Sequence, residues 1–172
     1  RGTSVYFADQ VVPMLPRELS NGICSLNPRV DRLALSCVMT LTPEGEVVDH
    51  TIAKSVIRTT ERMTYEDCNA LLAHSDPALA ERYARILPML EDMAALSRVL
   101  EGRRRRRGAL ELDTRESYVV CDESGTPVDV VLRTPGISEG LIESFMLAAN
   151  ECVAEHLNRL DKPCVYRVHE KP

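Results

Sequence analysis

Hydrophobic and polar positions alternate in two stretches of the chain and recur at helical spacing in three others. Leu33 to Thr40 is apolar with imperfect alternation, which predicts a buried strand. Pro43-Glu44-Gly45-Glu46 supplies a turn, and Val47 to Arg58 predicts the returning strand of a hairpin. A second hairpin is expected from Tyr118 to Cys121 and Val128 to Leu132, which flank Asp122-Glu123-Ser124-Gly125-Thr126-Pro127. Thr64 is placed to cap a short helix from Tyr65 to Leu72, with Glu66 and Asp67 facing the positive end of its dipole. Asp76-Pro77 combines a capping carboxylate with a proline at the first helical position. Leu79, Tyr83, Ile86, Leu87, Leu90, Met93, Ala94 and Leu100 follow at helical spacing. Pro88 should bend that helix, because it cannot donate to the carbonyl of Ala84 and clashes with it. Its end is expected through Gly102 and the run Arg103 to Arg107, closed by Gly108. Ser138 is expected to cap a last helix reaching about Leu160, with Ile142, Phe145, Met146, Ala149, Val153, Leu157 and Leu160 on its apolar face. Cys164 to Val168 predicts a closing strand.

These elements predict an α+β fold: a mixed or mainly antiparallel sheet with the helices beginning near Pro77 and Glu139 packed on it. Residues 1–28 fit neither period. Pro13, Pro16, Asn21-Gly22 and Asn27-Pro28 make them an ordered loop with short helical turns, held by Met14, Leu15, Ile23 and Leu26. A chain of 172 residues, 44% hydrophobic, is long enough for one domain with a sizeable core, and equally compatible with a piece of a larger one.

Charge narrows the function. A net charge of -5 argues against a protein whose whole surface binds nucleic acid, yet leaves room for one basic channel in an acidic body. No apolar run approaches the roughly 20 residues that span a bilayer, so no membrane partner is expected. The six cysteines form no Cys-x-x-Cys pair and no zinc-like spacing. An even count permits disulfides, but a chain with an ordinary core does not need them, and reduced thiols in a cytoplasmic protein are the simpler expectation.

The candidate chemistry is sparse. His50, His74, His156 and His169 form no His-Glu-x-x-His pair, and each alone reads as a surface or packed residue. No Gly-x-Ser-x-Gly elbow, phosphate loop or dinucleotide fingerprint is present. The run Arg103 to Arg107 fits a phosphate-contacting patch, but a solvated helix end, where cations meet the negative end of the dipole, explains it more simply. Glu143, Leu147 and Asn150 share one helix face, which could read a base or a ribose by hydrogen bonding; an ordinary half-exposed face is the plainer account. Tyr6 could stack on a nucleobase from its loop, or simply pack that loop.

Longer motifs change that balance. Arg1-Gly2-Thr3-Ser4-Val5-Tyr6-Phe7, Val12-Pro13-Met14-Leu15-Pro16-Arg17-Glu18-Leu19-Ser20-Asn21-Gly22, Cys24-Ser25-Leu26-Asn27-Pro28 and Asp31-Arg32-Leu33-Ala34 run in series. Ser55-Val56-Ile57-Arg58, Met63-Thr64-Tyr65 and Arg107-Gly108-Ala109-Leu110 continue it. Leu141-Ile142-Glu143-Ser144-Phe145-Met146-Leu147-Ala148-Ala149-Asn150-Glu151 and Tyr166-Arg167-Val168-His169-Glu170 close it. The series resembles the ribonuclease II/ribonuclease R family, block by block and in order. Cys68 to Leu100 matches in helical character alone.

The resemblance implies a processive, Mg²⁺-dependent 3′→5′ exoribonuclease that acts on single-stranded RNA 3′ ends and releases nucleoside monophosphates. The family's aspartate cluster normally precedes the stretch resembling Arg1-Gly2-Thr3, and its arginine motif normally follows the stretch resembling His169-Glu170. Residues 1–172 are therefore expected to be a fragment of a single RNB-type catalytic domain, with no catalytic residue and no metal ligand of its own, inactive alone. Exposed apolar surface on such a fragment would let it self-associate. Two RNA-binding positions carry over: Tyr6 matches the family tyrosine that stacks on RNA near the 3′ end, and Glu143 the glutamate that approaches the terminal nucleotide. Leu112 stands where many relatives have a second stacking phenylalanine. The alternative is a non-catalytic relative kept as an RNA-binding or scaffold module.

Overall fold

A computed structural model of the chain describes residues 3–8, 10–110 and 116–168. The chain divides into two compact units, Arg1–Ala34 with Val56–Met63 and Glu111–Pro135, and Leu35–Ser55 with Thr64–Leu110 and Gly136–Pro172.

The first unit is built from short extended pieces. Strands β1 (Val5–Tyr6) and β2 (Val11–Val12) pair antiparallel, with Tyr6 opposite Val11. The proline-rich loop beyond them contains one π-helical turn, Glu18–Ile23. Arg32 ties that loop down by donating to the carbonyls of Ser25 and Gly22, at 2.8 and 3.2 Å. Strands β5 (Glu116–Cys121) and β6 (Pro127–Arg133) form the predicted second hairpin, with Val119 opposite Val130. Its turn is organised by Asp122, whose carboxylate accepts from the hydroxyl of Ser124 and from the backbone N–H groups of Ser124 and Thr126. The Ser124 hydroxyl foremost holds the Asp122 carboxyl below its usual range.

The first predicted hairpin consists of β3 (Asp31–Leu41) and β4 (Val47–Arg58), whose open end belongs to the first unit and closed end to the second. Thr42 N–H donates to the Glu46 carbonyl at 2.8 Å to close its turn. Gly45 sits there at φ +84, with a Cβ on it only 3.1 Å from Val99 Cγ1, so the turn requires a residue without a side chain.

The second unit gathers the helices. Helix α1 (Tyr65–Leu72) is capped by Thr64, whose hydroxyl accepts from Asp67 N–H at 3.1 Å. Helix α2 (Pro77–Arg82) is capped by Asp76, which accepts from Ala78 and Leu79. Helix α3 (Leu87–Arg106) follows, and α4 (Ile137–Arg159) is the longest. Leu71, Tyr83, Leu90, Ala94, Leu141 and Cys152 form the core where α1, α3 and α4 meet.

The antiparallel pairing and helix–strand mixture expected from the sequence are present, but the strands form three separate two-stranded ribbons and not one sheet. Consequently β3 is not a buried strand: Leu33 is 88% exposed, and Leu35 and Val38 are also exposed. Pro88 does more than bend its helix. The helical path breaks after Arg82, and Pro88 falls in the first turn of α3, where a missing N–H leaves no bond unmade. At the far end Gly108 adopts φ +94, with Ala109 N–H donating to Arg104 O and Gly108 N–H to Arg105 O, a left-handed helix stop.

Two expectations about the last helix and one about the segment after it are corrected. Gly136, not Ser138, occupies the capping position, and Cys164 to Val168 forms no strand. The buried stripe is also rotated. It runs through Ser138, Leu141, Ser144 and Cys152, leaving Ile142 and Met146 exposed, while Phe145, Ala149 and Val153 are half-buried. Ser144 and Cys152 are small, so the face they share lets neighbouring elements approach more closely than the bulkier face would.

The start of α4 is secured from α1. Asn69 Oδ1 accepts from Ser138 N–H at 2.9 Å, and Asn69 Nδ2 donates to Glu139 Oε2 at 3.1 Å. Glu139 also accepts from Gly136 N–H at 2.9 Å. The buried Ser138 hydroxyl lies within donating distance of the Tyr65 carbonyl and of Glu139. A Cβ on Gly136 would collide with the Asn69 side-chain amide, so a larger residue there would displace the asparagine from these bonds.

Burial would raise the Glu139 carboxyl, but the bonds from Asn69, the backbone and Ser138 together outweigh it and hold the group below the usual range. A depressed folded pKa stabilises the fold above the ordinary carboxylate value, and the contribution is lost as the pH falls through the folded one. Glu139→Gln should therefore cost about 1 kcal/mol at neutral pH, and the deficit should shrink in acid. Urea denaturation across pH measures both. Asn69→Ala removes two partners at once and should cost about 1–3 kcal/mol.

Candidate functional site

The C-terminal turn of α3 carries Arg103 to Arg107, and the structure shows what most of these cations do. Arg103 Nη1 donates to the Gly45 carbonyl at 2.9 Å, fixing the turn of the β3–β4 hairpin. Arg104 Nη1 meets Glu143 Oε1 at 3.1 Å on α4. Arg105 pairs with Glu101 one turn earlier. Arg107 donates to both carboxylate oxygens of Glu151 at 2.9 and 3.1 Å. That fork-on-fork bond raises the Arg107 pKa further. All lie at the negative end of the α3 dipole, which favours them there. The run is thus more than a solvated helix end: it is a row of ties from α3 to α4 and to the hairpin turn.

Between these elements lies an open groove of about 360 Å3. Leu100, Leu147 and Ala148 contribute apolar wall, and Arg103, Arg107, Glu151 and Arg159 interleave positive and negative charge around it. Because Arg107 and Arg159 meet carboxylates and Arg103 a backbone carbonyl, an anion entering here would compete with Glu151 and Glu155 and not meet a bare basic patch.

Glu143 projects from α4 with a half-exposed side chain, one oxygen engaged by Arg104. Leu147 beside it lines the groove, and Asn150 is exposed. A carboxylate held by one oxygen keeps acceptor capacity on the other, which suits a ribose hydroxyl or base N–H donor. Tyr6 is 77% exposed on β1 of the first unit, its ring open to stacking. Each residue has the accessibility a ligand contact needs, in its own unit. Leu112 lies outside the described residues, as do His169 and Glu170. Among the described residues no three His, Cys, Asp or Glu side chains converge as a metal site requires. They do not fit the Mg²⁺ that the family resemblance implies, and no catalytic step is assigned to them.

Two side-chain pairs escaped the sequence reading. His50 Nε2 and His156 Nδ1 lie 2.9 Å apart with the rings edge to face, and Cys37 Sγ and Cys152 Sγ lie 3.6 Å apart. Both join the β3–β4 hairpin to α4. The four-residue spacing of Cys152 and His156 puts them on one helix face, the one local signal they leave. No helix among the described residues is long and apolar enough to cross a membrane.

Comparison with known proteins gives consistent matches along the full chain. The family model described as RNB domain matches residues 1–172. The chain is 52% identical over 172 residues to Ribonuclease R 1 of Lactococcus lactis, covering all of this chain and 21% of that protein. It is 45% identical over 173 residues to Ribonuclease R of Thermotoga maritima, covering 24% of that protein. The apo structure of Mycoplasma genitalium RNase R superposes with a TM-score of 0.88 at 29% identity, covering 99% of this chain and 26% of that one. The same protein in complex with double-stranded RNA gives 0.89, with 99% and 30% covered. The chain thus spans between 21% and 24% of the length of these two curated relatives.

The Arg104–Glu143 pair is partly solvated, so its coupling should be small. A double-mutant cycle with Arg104→Ala and Glu143→Ala should return about 0.2–1 kcal/mol, diminishing as salt is added. Thermal denaturation of the four variants measures it.

Proposed function

This chain belongs to the RNB domain family, and we propose that it is the middle of the catalytic domain of a processive 3′→5′ exoribonuclease that hydrolyses RNA to nucleoside monophosphates. The observation that carries this reading is the match over the full 172 residues to ribonuclease R at up to 52% identity. The substrate in this reading is a single-stranded RNA 3′ end. It draws support from the structural neighbour, which was solved in complex with ribose-methylated single-stranded RNA. Mg²⁺ serves the whole protein on carboxylates that are not among these residues, where it would stabilise the charge developing at the scissile phosphate. A cytoplasmic location goes with RNA turnover.

The role proposed for this part is to receive RNA. Tyr6 stacks on a base near the 3′ end and sets its distance from the reacting phosphate. Glu143 accepts a hydrogen bond from the terminal nucleotide, including its 2′-hydroxyl, the group that separates RNA from DNA. The exposure of Tyr6 and the free acceptor capacity of Glu143 support these roles.

In the full-length protein, Tyr6→Ala removes about 1–3 kcal/mol of stacking and leaves the metal site untouched. It should change the length of the final undegraded oligonucleotide more than the rate of cleavage. Glu143→Ala should weaken binding or slow turnover without unfolding α4, since alanine is the better helix former. Gel analysis of end products from labelled RNA reads both; an unchanged ladder and rate for Tyr6→Ala would mean that this ring merely packs its loop.

The isolated 172-residue chain should leave labelled single-stranded RNA intact in Mg²⁺, and should self-associate through exposed apolar side chains such as Leu35, Val130 and Leu132. Progressive 3′ shortening by the purified chain, above a control for contaminating nuclease, would overturn the first expectation, and a monomeric mass by light scattering the second.

A further inference from the structure

Six cysteines are free thiols in this structure, and among the described residues two of them are in sulfur–sulfur contact. Cys37 lies on β3 and Cys152 on α4, 115 positions apart in the chain, with the sulfurs 3.6 Å apart. We propose that Cys37 and Cys152 form an oxidation site, a dithiol that a hydroperoxide converts into a reversible disulfide joining β3 to α4.

Geometry carries the proposal. A disulfide needs sulfurs about 2.0 Å apart, and Cys37 and Cys152 already hold theirs in contact at 3.6 Å. The remaining cysteines differ in setting. Cys24 and Cys164 are exposed, Cys121 is partly exposed, and Cys68 is buried without a second sulfur in contact. They can be oxidised singly or between molecules; among the described residues the Cys37–Cys152 contact is the one that brings two sulfurs together.

The two sulfurs have different exposures, which orders the reaction. Cys37 is partly accessible, whereas Cys152 is 4% exposed in the core. The oxidant therefore meets Cys37. Its sulfur attacks the peroxide O–O bond, giving a sulfenic acid and releasing water from hydrogen peroxide. Cys152 then loses its proton and attacks the Cys37 sulfur. The S–O bond breaks, a second water leaves, and the disulfide forms; two thiols are oxidised and one peroxide is reduced. Burial, and next the neighbouring Cys37, push the Cys152 thiol up to about 11. That keeps it protonated and a poor nucleophile toward the oxidant, so the second step draws on the proximity of the two sulfurs. Cys152 also lines the groove between α3 and α4, directly after Glu151, so the bond would fix that wall to the hairpin.

The test uses the full-length protein with all its cysteines. After brief exposure to hydrogen peroxide, free thiols are alkylated and the protein is digested without reductant. A peptide linking Cys37 to Cys152, lost on treatment with dithiothreitol, is expected as the main intramolecular cross-link, together with a melting temperature raised by several degrees, since the bond closes a long loop. In Cys152→Ser, a sulfenic acid should accumulate on Cys37 and be trapped by a 1,3-dione reagent. In Cys37→Ser, Cys152 should stay reduced. Failure to find the linked peptide at peroxide levels that oxidise Cys24 and Cys164 would overturn the proposal. That measurement on the unsubstituted chain needs no variant to fold. Oxidation of Cys152 in Cys37→Ser at the parent's rate would overturn the order of attack.

Discussion

The start of α4 is the constraint on which the second unit depends. A helix begins with backbone N–H groups that have no partner within it, and here they are met by side chains. Asn69, from α1, accepts from Ser138, while Glu139 turns back to Gly136. The same asparagine holds Glu139 through its amide, so one residue fixes both the position and the rotation of α4. Rotation matters because α4 has different chemistry on different sides. Leu141 and Cys152 enter the core, Glu143 and Glu151 meet the arginines of α3, and His156 meets His50. Turn the helix by one residue and all of these contacts are lost together.

Electrostatics then acts locally and not as a field. The five consecutive arginines at the end of α3 suggest a basic surface, yet Arg103, Arg104, Arg105 and Arg107 each reach a carbonyl or a carboxylate. Exposed ion pairs of this kind contribute little stability individually. Their effect is positional: Arg104 restrains the Glu143 carboxylate, and the two-point bond of Arg107 to Glu151 aligns α4 against the end of α3.

How much of this was legible in the sequence follows from the range of each interaction. The caps at Thr64 and Asp76 and the stop at Gly108 depend on residues within a few positions, and all three appear as the sequence predicts. The α4 cap does not, because its asparagine lies 69 positions before Ser138 and no local rule can see it. The buried stripe of α4 was placed on the bulky residues, whereas packing selected a face that includes Ser144 and Cys152, where close approach is possible. The uncovered faces of β3 could not be anticipated either. Alternation says that one face is apolar, not that anything lies against it. The Cys37–Cys152 and His50–His156 pairs join residues more than a hundred positions apart and left almost no local trace. Family membership was the most legible feature, because it is written in many short motifs at once. The roles of Tyr6 and Glu143 rest on that membership, and the coordinates add their accessibility.

The central claim is the proposal that Tyr6 and Glu143 each contact RNA in the full-length protein. The most direct measurement is a crystal structure of the full-length protein holding a single-stranded RNA 3′ end. The account predicts the Tyr6 ring stacked on a base near that end and the Glu143 carboxylate within hydrogen-bonding distance of the terminal nucleotide. An RNA path that leaves both side chains facing solvent would contradict it.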